Sequence, residues 1–263
     1  MMGENNIRVL ISGVCGRMGQ ETAKAVSAAE GMEIVGGCDL AHVGEFVCDV
    51  VPLVSERARI YGDLDEAVRL SLPEVMVDFT TPASVMNNLR TAIKNRVACV
   101  VGTTGITKDN LCELEKLSSE HGAAVLVAPN FAIGAVLMMK FASEAAKYMP
   151  AVEIIELHHD KKLDAPSGTA IKTAEMISSA RGGIQSGGDL SNARGETHFG
   201  IQVHSVRLPG LVAHQEVIFG GQGQTLTIRH DSLDRTSFMP GVLMAIRKVR
   251  QLSGVVYGLE NIL

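Results

Sequence analysis

The sequence lacks tryptophan altogether, and aromatic residues make up only 4% of its 263 positions. It also lacks an excess of basic residues, since its formal net charge is -5. Surfaces that bind nucleic acids combine clustered lysine and arginine with aromatic side chains on which the bases stack. With both scarce, neither nucleic acid nor an anionic membrane is an expected partner.

The cysteines are too few and too scattered for the usual cysteine-based sites. There are five, an odd number without a CxxC pair, so we expect no disulfide framework and a reducing compartment. No apolar run reaches the roughly 18–20 residues of a membrane span, and the N-terminal residues lack the basic start and apolar core of a signal peptide. The sequence therefore predicts a soluble, cytoplasmic protein.

The first half of the chain alternates strand-like and helix-like segments. Short apolar runs are predicted to be strands, and the segments between them, rich in alanine and charged residues, to be helices. Strands that are apolar along their whole length are typical of a parallel sheet covered on both faces, which predicts a Rossmann-like, doubly wound α/β domain. The predicted strands are 7–13, 32–39, 59–62, 74–81, 98–105 and 123–130; the predicted helices are 16–30, 63–70, 82–95 with Pro82 first, and 107–122; and 40–58 is predicted to be a loop.

The pattern changes after about residue 130. Helices and strands no longer alternate regularly, and glycine-rich turns separate the later strands, which predicts a second, α+β domain with a mixed or antiparallel sheet. We place the domains at 1–130 and 131–239 and expect 240–263 to pack back on the first. The predicted elements are helices at 132–148, 168–180 and 237–252, strands at 151–159, 201–208, 215–221 and 224–231, and a surface loop at 181–196.

A glycine-rich turn follows the first predicted strand. In "SGVCGRMGQ", Gly13, Gly16 and Gly19 have the spacing GxxGxxG, and Asp39 ends the second strand 20 residues later. Glycine lets the backbone approach a pyrophosphate, the helix N-terminus supplies unpaired N–H groups, and a strand-end carboxylate binds the adenosine ribose. The pattern predicts a dinucleotide site. The alternatives are a tight turn without a ligand and, for Asp39, a helix cap or a solvated loop residue.

Other predicted strand ends fall where ligands of parallel sheets collect. Arg17, inside the turn, could contact a phosphate or the nicotinamide side. No lysine or arginine follows Asp39 closely, so a 2′-phosphate would face an acid without a local cation, and NADH is expected ahead of NADPH. Helix caps or simple turns are the alternative for the threonine motifs. The expected lining residues are Thr80, Gly102, Thr103 and Thr104, with "APNF" at 128–131 as a further wall and hinge.

The segment "ELHHDKKLDAPSGTA", residues 156–170, gathers proton carriers and cations. His158 and His159 end a predicted strand. Because neighbouring strand residues point to opposite faces, only one of them is expected to face a given cleft. Histidine titrates near neutrality and can serve as a general acid, while Lys161 and Lys162 are compact cations suited to a carboxylate or to proton donation.

The end of the same segment opens a predicted helix. Ser167 can cap it, and the amides of Gly168 and Thr169 with the Thr169 hydroxyl would form an anion site, while Asp164 is expected to brace the turn. Together these features suit a small dianionic substrate. A metal site or an inert polar loop is the alternative. Zinc would need three or four ligands and no HxxxH or CxxC partner is near, so no metal is predicted.

Taken together, the motifs resemble one family. The motifs "GVCGRMG" with a strand-end acid, "DFTTP", "GTTG", "APNF", "ELHHDKKLDAPSGTA" and "SVRLPGLVAHQEVIFGGQGQTLTIRHDSLDRTSFMPG" occur in the order found in bacterial dihydrodipicolinate reductases, also called 4-hydroxy-tetrahydrodipicolinate reductases. The resemblance spans nearly the whole chain, and HHxxKxDAPSGTA is its most specific element.

The resemblance implies an NAD(P)H-dependent reduction of 4-hydroxy-tetrahydrodipicolinate in lysine and diaminopimelate biosynthesis. It also implies a homotetramer assembled through the second domain's sheet, with a dinucleotide-binding first domain and a substrate-binding second domain that close on the ligands. His158 would be the proton donor, Lys162 the second catalytic cation, and His159, Gly168 and Thr169 would bind the substrate. The implied cofactor contacts are Gly13, Val14, Cys15, Gly16, Arg17, Met18, Asp39, Gly102, Thr103, Thr104, Ala128, Pro129, Asn130 and Phe131.

Other interpretations remain open at this point. Some family members carry an arginine beside the strand-end acid for NADPH. This chain has Leu40 there, so NADH is favoured and NADPH is the alternative. Another two-domain dehydrogenase of a small carboxylate would share the glycine turn without needing two carboxylate sites beside His158. A non-catalytic NADH-binding regulator or a structural oligomeric module would have no use for His158 and Lys162.

Overall fold

The computed structural model describes residues 6–183 and 192–263, which fold into two compact units. The first unit comprises Met1–Phe131 and Phe238–Leu263, and the second comprises Ala132–Ser237. The chain therefore leaves the first unit once, after Phe131, and returns to it at Phe238.

The described residues form twelve strands and eight α-helices. The strands are β1 (Ile7–Ser12), β2 (Met32–Cys38), β3 (Ile60–Tyr61), β4 (Val75–Asp78), β5 (Ala98–Val101), β6 (Val125–Val127), β7 (Ala151–His158), β8 (Glu196–His198), β9 (Ile201–Arg207), β10 (Ala213–Gly221), β11 (Gln224–Ser232) and β12 (Val255–Tyr257). The helices are α1 (Arg17–Ala28), α2 (Val47–Val50), α3 (Leu64–Ser71), α4 (Val85–Lys94), α5 (Lys108–His121), α6 (Ile133–Ala145), α7 (Gly168–Ala180) and α8 (Met239–Val249). None of these helices is both long and apolar enough to cross a lipid bilayer.

The first unit is built on a seven-stranded parallel sheet with the order β12-β6-β5-β4-β1-β2-β3. Every residue of β4, β5 and β6 is buried, as expected for central strands whose two faces are both covered. Leu89 and Ile93 of α4 and Leu114 of α5 pack into the same core as these strands. The predicted doubly wound parallel sheet is confirmed.

The second unit is built on a five-stranded mixed sheet with the order β11-β10-β7-β9-β8. β7 and β9 are parallel, and the other neighbours are antiparallel. Alternate residues of β7 and β10 point to one buried face, where Ile154 lies opposite Val217. This period of two is the pattern of a sheet with one buried face. The predicted α+β class is confirmed.

The turn between β1 and α1 requires glycine at two positions. Gly13 has φ +81°, and a Cβ atom there would lie 2.5 Å from the carbonyl oxygen of Phe79. A Cβ atom on Gly19 would lie 2.0 Å from the carbonyl oxygen of Gly13, so only glycine lets α1 pack this closely on the turn.

The structure differs from the sequence prediction at several element ends. Pro82 is not the first residue of α4, because the carbonyl of Thr81 accepts hydrogen bonds from Ser84 and Val85 and the helix begins only at Val85. The predicted loop 40–58 contains the one-turn helix α2. Strands β8 and β12 were not predicted, since three residues are too few to show a period. Residues 184–191 of the predicted loop 181–196 lie outside the described residues.

Candidate active site

The predicted site residues fall into two groups, one in each unit. All predicted cofactor residues belong to the first unit, around the carboxyl ends of β1, β2, β4, β5 and β6, and all predicted substrate residues belong to the second unit, at and after the end of β7.

Asp39, in the loop after β2, is hydrogen-bonded to the glycine turn. The backbone amide of Cys15 donates to Oδ2 of Asp39 at 2.9 Å, and the amide of Ala41 donates to Oδ1 at 3.1 Å. Asp39 is therefore neither a helix cap nor a free loop residue. Each carboxylate oxygen has further lone pairs, so the side chain can still accept hydrogen bonds from ligand hydroxyls.

The N-terminus of α1 is arranged to receive an anion. Gly16 is the N-cap residue, no side chain of the described residues caps the helix, and its first turn contains no acid. The first N–H groups of a helix have no intrahelical partner and carry a partial positive charge. Arg17 is exposed and Met18 partly buried at this end, whereas Val14 is fully buried, backbone included.

Asp39 and part of the glycine turn border a cleft of about 690 Å³ within the first unit. Of the predicted cofactor residues, the cleft is lined by Gly13, Cys15, Gly16, Asp39 and Thr80. Unpredicted lining residues include Asp63, Asp65, Asn87 and Asn88. Burial, and secondarily Asp39, raises the pKa of Cys15 to about 11 and that of Cys38 to about 12, so both thiols at the cleft stay uncharged near neutral pH.

A buried acid that the sequence analysis missed, Asp78, organises the strand ends beside this cleft. Its Oδ1 accepts from the hydroxyls of Thr80 at 2.7 Å and Thr103 at 2.6 Å and from the amide of Thr80 at 3.1 Å. Its Oδ2 accepts from the side-chain amide of Asn88 at 2.8 Å. One carboxylate thus joins the ends of β4 and β5 to α4.

This network changes what two predicted residues can offer a ligand. The hydroxyl hydrogens of Thr80 and Thr103 are both donated to Asp78, and Thr103 is buried. The sequence predicted both as residues lining a cofactor cleft. Of the two, only Thr80 lines the cleft. Because its hydroxyl hydrogen is donated to Asp78, its oxygen can only accept a hydrogen bond from a ligand.

Of the remaining predicted cofactor residues, Gly102 and Phe131 lie against the ring of Phe79. Phe79 and Phe131 meet edge to face with their centroids 5.7 Å apart, and a Cβ atom on Gly102 would lie 2.0 Å from the Phe79 ring, so glycine is required there. Phe131 is buried. Of the others, Ala128 is buried, Asn130 is partly buried, and Thr104 and Pro129 are exposed.

In the second unit, His158 rather than His159 joins a polar cluster. His158 and Glu156 are two residues apart on β7 and share a face of the sheet, and Nδ1 of His158 is hydrogen-bonded to Oε2 of Glu156. The His158 side chain is 14% exposed. His159 lies just beyond the strand and is exposed, with its carbonyl accepting from the amide of Lys162 at 3.1 Å.

Glu156 is the centre of this cluster, and its side chain is 0% exposed. Arg207 of β9 donates to its two oxygens at 2.7 and 2.9 Å, and the amide of Ser167 donates to Oε1 at 3.2 Å. Burial by itself raises the pKa of Glu156, but hydrogen bonds from His158, Arg207 and Ser205 outweigh it and lower the pKa to about 2. The sequence signal for Glu156 was available, since it is an acid inside an apolar strand, two residues before His158.

Lys162 and Asp164 form an ion pair in the loop after β7. Nζ of Lys162 lies 2.7 Å from both carboxylate oxygens of Asp164, and this contact lowers the pKa of Asp164. The carbonyl of Asp164 also accepts from Arg207 at 2.8 Å. The predicted bracing role of Asp164 is therefore confirmed.

The loop ends at the N-terminus of α7. Ser167 caps the helix as predicted, because its hydroxyl accepts from the amide of Ala170 at 3.2 Å. Gly168 and Thr169 form the start of the first turn, which contains no acid, and the space where a Gly168 Cβ would lie is open for 4 Å. This end of the helix can therefore receive an anion closely.

Within 6–183 and 192–263, no group of three histidine, cysteine or acidic side chains is placed to hold a metal ion. All five cysteines are free.

Comparison with known proteins gives matches over nearly the whole chain. Residues 7–131 match the family described as "Dihydrodipicolinate reductase, N-terminus", and 134–263 match "Dihydrodipicolinate reductase, C-terminus". The 4-hydroxy-tetrahydrodipicolinate reductase of Syntrophomonas wolfei is 53% identical over 261 residues, which cover 97% of this chain and 98% of that protein. The chain belongs to the dihydrodipicolinate reductase family.

Solved structures agree with this membership. The dipicolinate-bound dihydrodipicolinate reductase of Paenisporosarcina sp. TG-14 is 47% identical, with a TM-score of 0.87 over 98% of this chain and 100% of that chain. The amine dehydrogenase of Mycobacterium smegmatis has a TM-score of 0.72 over 97% of this chain and 96% of that chain, but is only 14% identical. The second likeness concerns the fold alone, so dihydrodipicolinate reductases share both fold and sequence with this chain, while other dehydrogenases share only the fold.

We predict that Asp78→Asn lowers the free energy of unfolding by about 1–3 kcal/mol, because an amide nitrogen would face hydrogen-bond donors in a buried site. Urea unfolding measures this change. Asp65→Asn, at an exposed acid of the same cleft, is the control and should change stability by less than about 1 kcal/mol. Equal stability of the two variants would contradict the role we assign to Asp78.

Proposed function

We propose that this chain catalyses the NAD(P)H-dependent reduction of 4-hydroxy-tetrahydrodipicolinate to tetrahydrodipicolinate, with release of water, in the lysine and diaminopimelate pathway. The observation that carries the proposal is that His158, Lys162 and the N-terminus of α7 occur together in the second unit of a dihydrodipicolinate reductase family member. They supply a proton carrier, a cation and an anion site. The five free cysteines are in keeping with a cytoplasmic enzyme.

The second unit is proposed to bind a substrate with two carboxylates. Dipicolinate, which the Paenisporosarcina protein binds, is a ring with two such groups. One carboxylate would accept hydrogen bonds from the start of α7, where the amides of Gly168 and Thr169 follow the cap residue Ser167. Lys162 and His159 would attract the other carboxylate, since Lys162 lies in the loop that joins β7 to α7 and His159 is exposed.

The first unit is proposed to hold the nicotinamide dinucleotide. The free end of α1 suits its pyrophosphate, Asp39 suits a ribose, and the cleft between them is large enough for part of the cofactor. Gly102–Thr104 and residues 128–131 are proposed to supply further contacts to the cofactor. When bound, the cofactor supplies the hydride.

His158 is proposed to donate the proton that the reaction consumes. Loss of the 4-hydroxyl group as water gives a conjugated imine. Hydride addition to it moves negative charge towards the ring nitrogen, where an acid and a cation stabilise it. His158 is mostly buried and hydrogen-bonded through Nδ1, so it holds its ring in one orientation. Lys162, braced by Asp164, supplies the positive charge.

NADH is proposed as the preferred cofactor. The carboxylate of Asp39 would face the 2′-phosphate of NADPH, and the next residue is Leu40, which is 91% exposed and has no charge to offer. A ribose hydroxyl, by contrast, can donate to the carboxylate.

A homotetramer is proposed as the assembly. One face of the five-stranded sheet is buried by its own unit, whereas the other carries the apolar side chains Ile155, Leu157, Val206 and Ile218, all only partly buried, next to Glu153, His204 and Glu216. Apolar side chains collected on one sheet face favour a contact with a second copy.

We predict that His158→Gln lowers turnover by roughly 100-fold or more while leaving NADH affinity nearly unchanged, because a positioned acid is lost. The assay follows NADH oxidation at 340 nm with freshly generated product of dihydrodipicolinate synthase. The matched control is His121→Gln, at the end of α5, which should turn over like the wild type. Unchanged turnover in His158→Gln would remove His158 from the mechanism, and no turnover in the wild type would refute the proposed function.

We predict a higher kcat/KM with NADH than with NADPH, and a gain of roughly tenfold with NADPH in Leu40→Arg, which adds a cation for the 2′-phosphate. Steady-state kinetics with both cofactors measures the ratio. Leu53→Arg is the control, since Leu53 is 89% exposed in the same unit but does not line the cleft. A preference for NADPH in the wild type would overturn the assignment.

We predict that sedimentation gives about four times the chain mass of 28.0 kDa. Ile218→Lys places a charge among the apolar side chains of the proposed contact and should yield species of lower mass. Tyr148→Lys, at an exposed position of the same unit, should leave the mass unchanged. A monomeric wild type, or a tetramer that tolerates Ile218→Lys, would contradict this interface.

A further inference from the structure

Glu156 is not among the residues proposed to contact the substrate, yet it is a buried acid of the second unit with several hydrogen-bond donors. Its carboxylate accepts from His158 on its own strand, from Arg207 on β9 and from the amide of Ser167 at the start of α7. We propose that Glu156 is a positioning residue that fixes the tautomer and supports the protonated form of His158. The inference rests on the proposed function, because it assigns a partner to the proposed proton donor.

The tautomer follows from the acceptor character of the carboxylate. Both oxygens of Glu156 accept from Arg207 and its pKa is lowered to about 2, so near neutral pH it is ionised and can only accept hydrogen bonds. The hydrogen on Nδ1 of His158 must therefore point to Oε2 of Glu156. Nε2 is left as the ring atom that presents a proton to a ligand.

The charge balance around His158 depends on the same carboxylate. In the sheet register, His158 lies opposite Arg207 of β9 on one side and the apolar Ala213 of β10 on the other. The charged groups that these strands place beside His158 are thus Glu156 and Arg207, while in the loop after β7 Lys162 and Asp164 are paired with each other. With Glu156 in place, the guanidinium is paired through both of its terminal nitrogens. Without Glu156, the partly buried guanidinium of Arg207 would lie beside His158 with no negative charge to balance it, which disfavours protonation of His158.

Glu156 also links the proton donor to the proposed anion site. Its Oε1 accepts from the amide of Ser167, which is the N-cap residue of α7, and the next two residues are Gly168 and Thr169. The position of the imidazole is therefore set relative to the helix end that would hold a substrate carboxylate. Both ends of this link lie within the second unit.

The test compares two substitutions with effects of opposite sign on the pH profile of kcat/KM. Glu156→Gln removes the negative charge, so His158 loses its proton at lower pH. The alkaline limb of kcat/KM should therefore move to lower pH by roughly one pH unit or more, and kcat should fall roughly tenfold or more. Arg207→Gln removes the positive charge and keeps Glu156, so the alkaline limb should move up. NADH affinity should change in neither variant.

Glu153→Gln is the matched control. Glu153 lies on β7 as well, on the opposite face, and its carboxylate also contacts a histidine, His204, and an arginine, Arg194. Its pH profile should match the wild type. A merely structural role for Glu156 would lower the melting temperature of Glu156→Gln without moving the limb in either variant. That result would overturn the inference. So would a shift of the alkaline limb in the same direction in Glu156→Gln and Arg207→Gln.

A second readout does not depend on activity. The ¹⁵N chemical shifts of the His158 ring, assigned by their loss in His158→Gln, should report Nδ1–H in the neutral form of the wild type. Nε2–H there would overturn the inference even in an active enzyme. If the wild type proves inactive towards the proposed substrate, the proposed function fails, and the ring shifts still decide the role of Glu156.

Discussion

A buried carboxylate must find hydrogen-bond donors, and this requirement shapes the polar end of each unit. Glu156 meets it with donors from β7, β9 and the start of α7. Asp78 meets it with donors from the ends of β4 and β5 and from α4. In both cases the acid lies near the carboxyl end of a central strand, so satisfying it draws together the loops where a ligand of the sheet would be expected.

The two sites nevertheless use their acids differently. Asp78 takes the hydroxyl hydrogens of Thr80 and Thr103, which leaves this part of the first unit with acceptors and uncharged backbone. Glu156 is paired with Arg207 and His158, two side chains that carry or can carry positive charge. The first arrangement suits a ligand that is held and positioned, and the second suits one that receives a proton. This division agrees with the separate roles proposed for the two units.

The sequence predicted those features that depend on local pattern. Apolar strands, the GxxGxxG turn and the cap at Ser167 are each written in consecutive residues, and the structure has them where they were expected. Each acid has one partner two residues away, His158 for Glu156 and Thr80 for Asp78, but the others are distant: Glu156 and Arg207 are 51 residues apart, and Asp78 and Thr103 are 25 apart. A single sequence shows no such pairings. Hence Thr80 and Thr103 were assigned to a ligand, whereas the structure shows that they first satisfy Asp78.

The cost of the Glu156 cluster bears on what kind of protein this is. Apolar residues of similar volume often replace a buried ion pair without loss of stability, or with a gain. A module that only bound NADH through its first unit, or only assembled through its sheet, would gain nothing from a carboxylate that is 0% exposed beneath a histidine. An enzyme that must present a proton from a fixed ring atom has a reason to retain it. The cluster therefore favours catalysis over the regulatory and structural alternatives that the sequence left open.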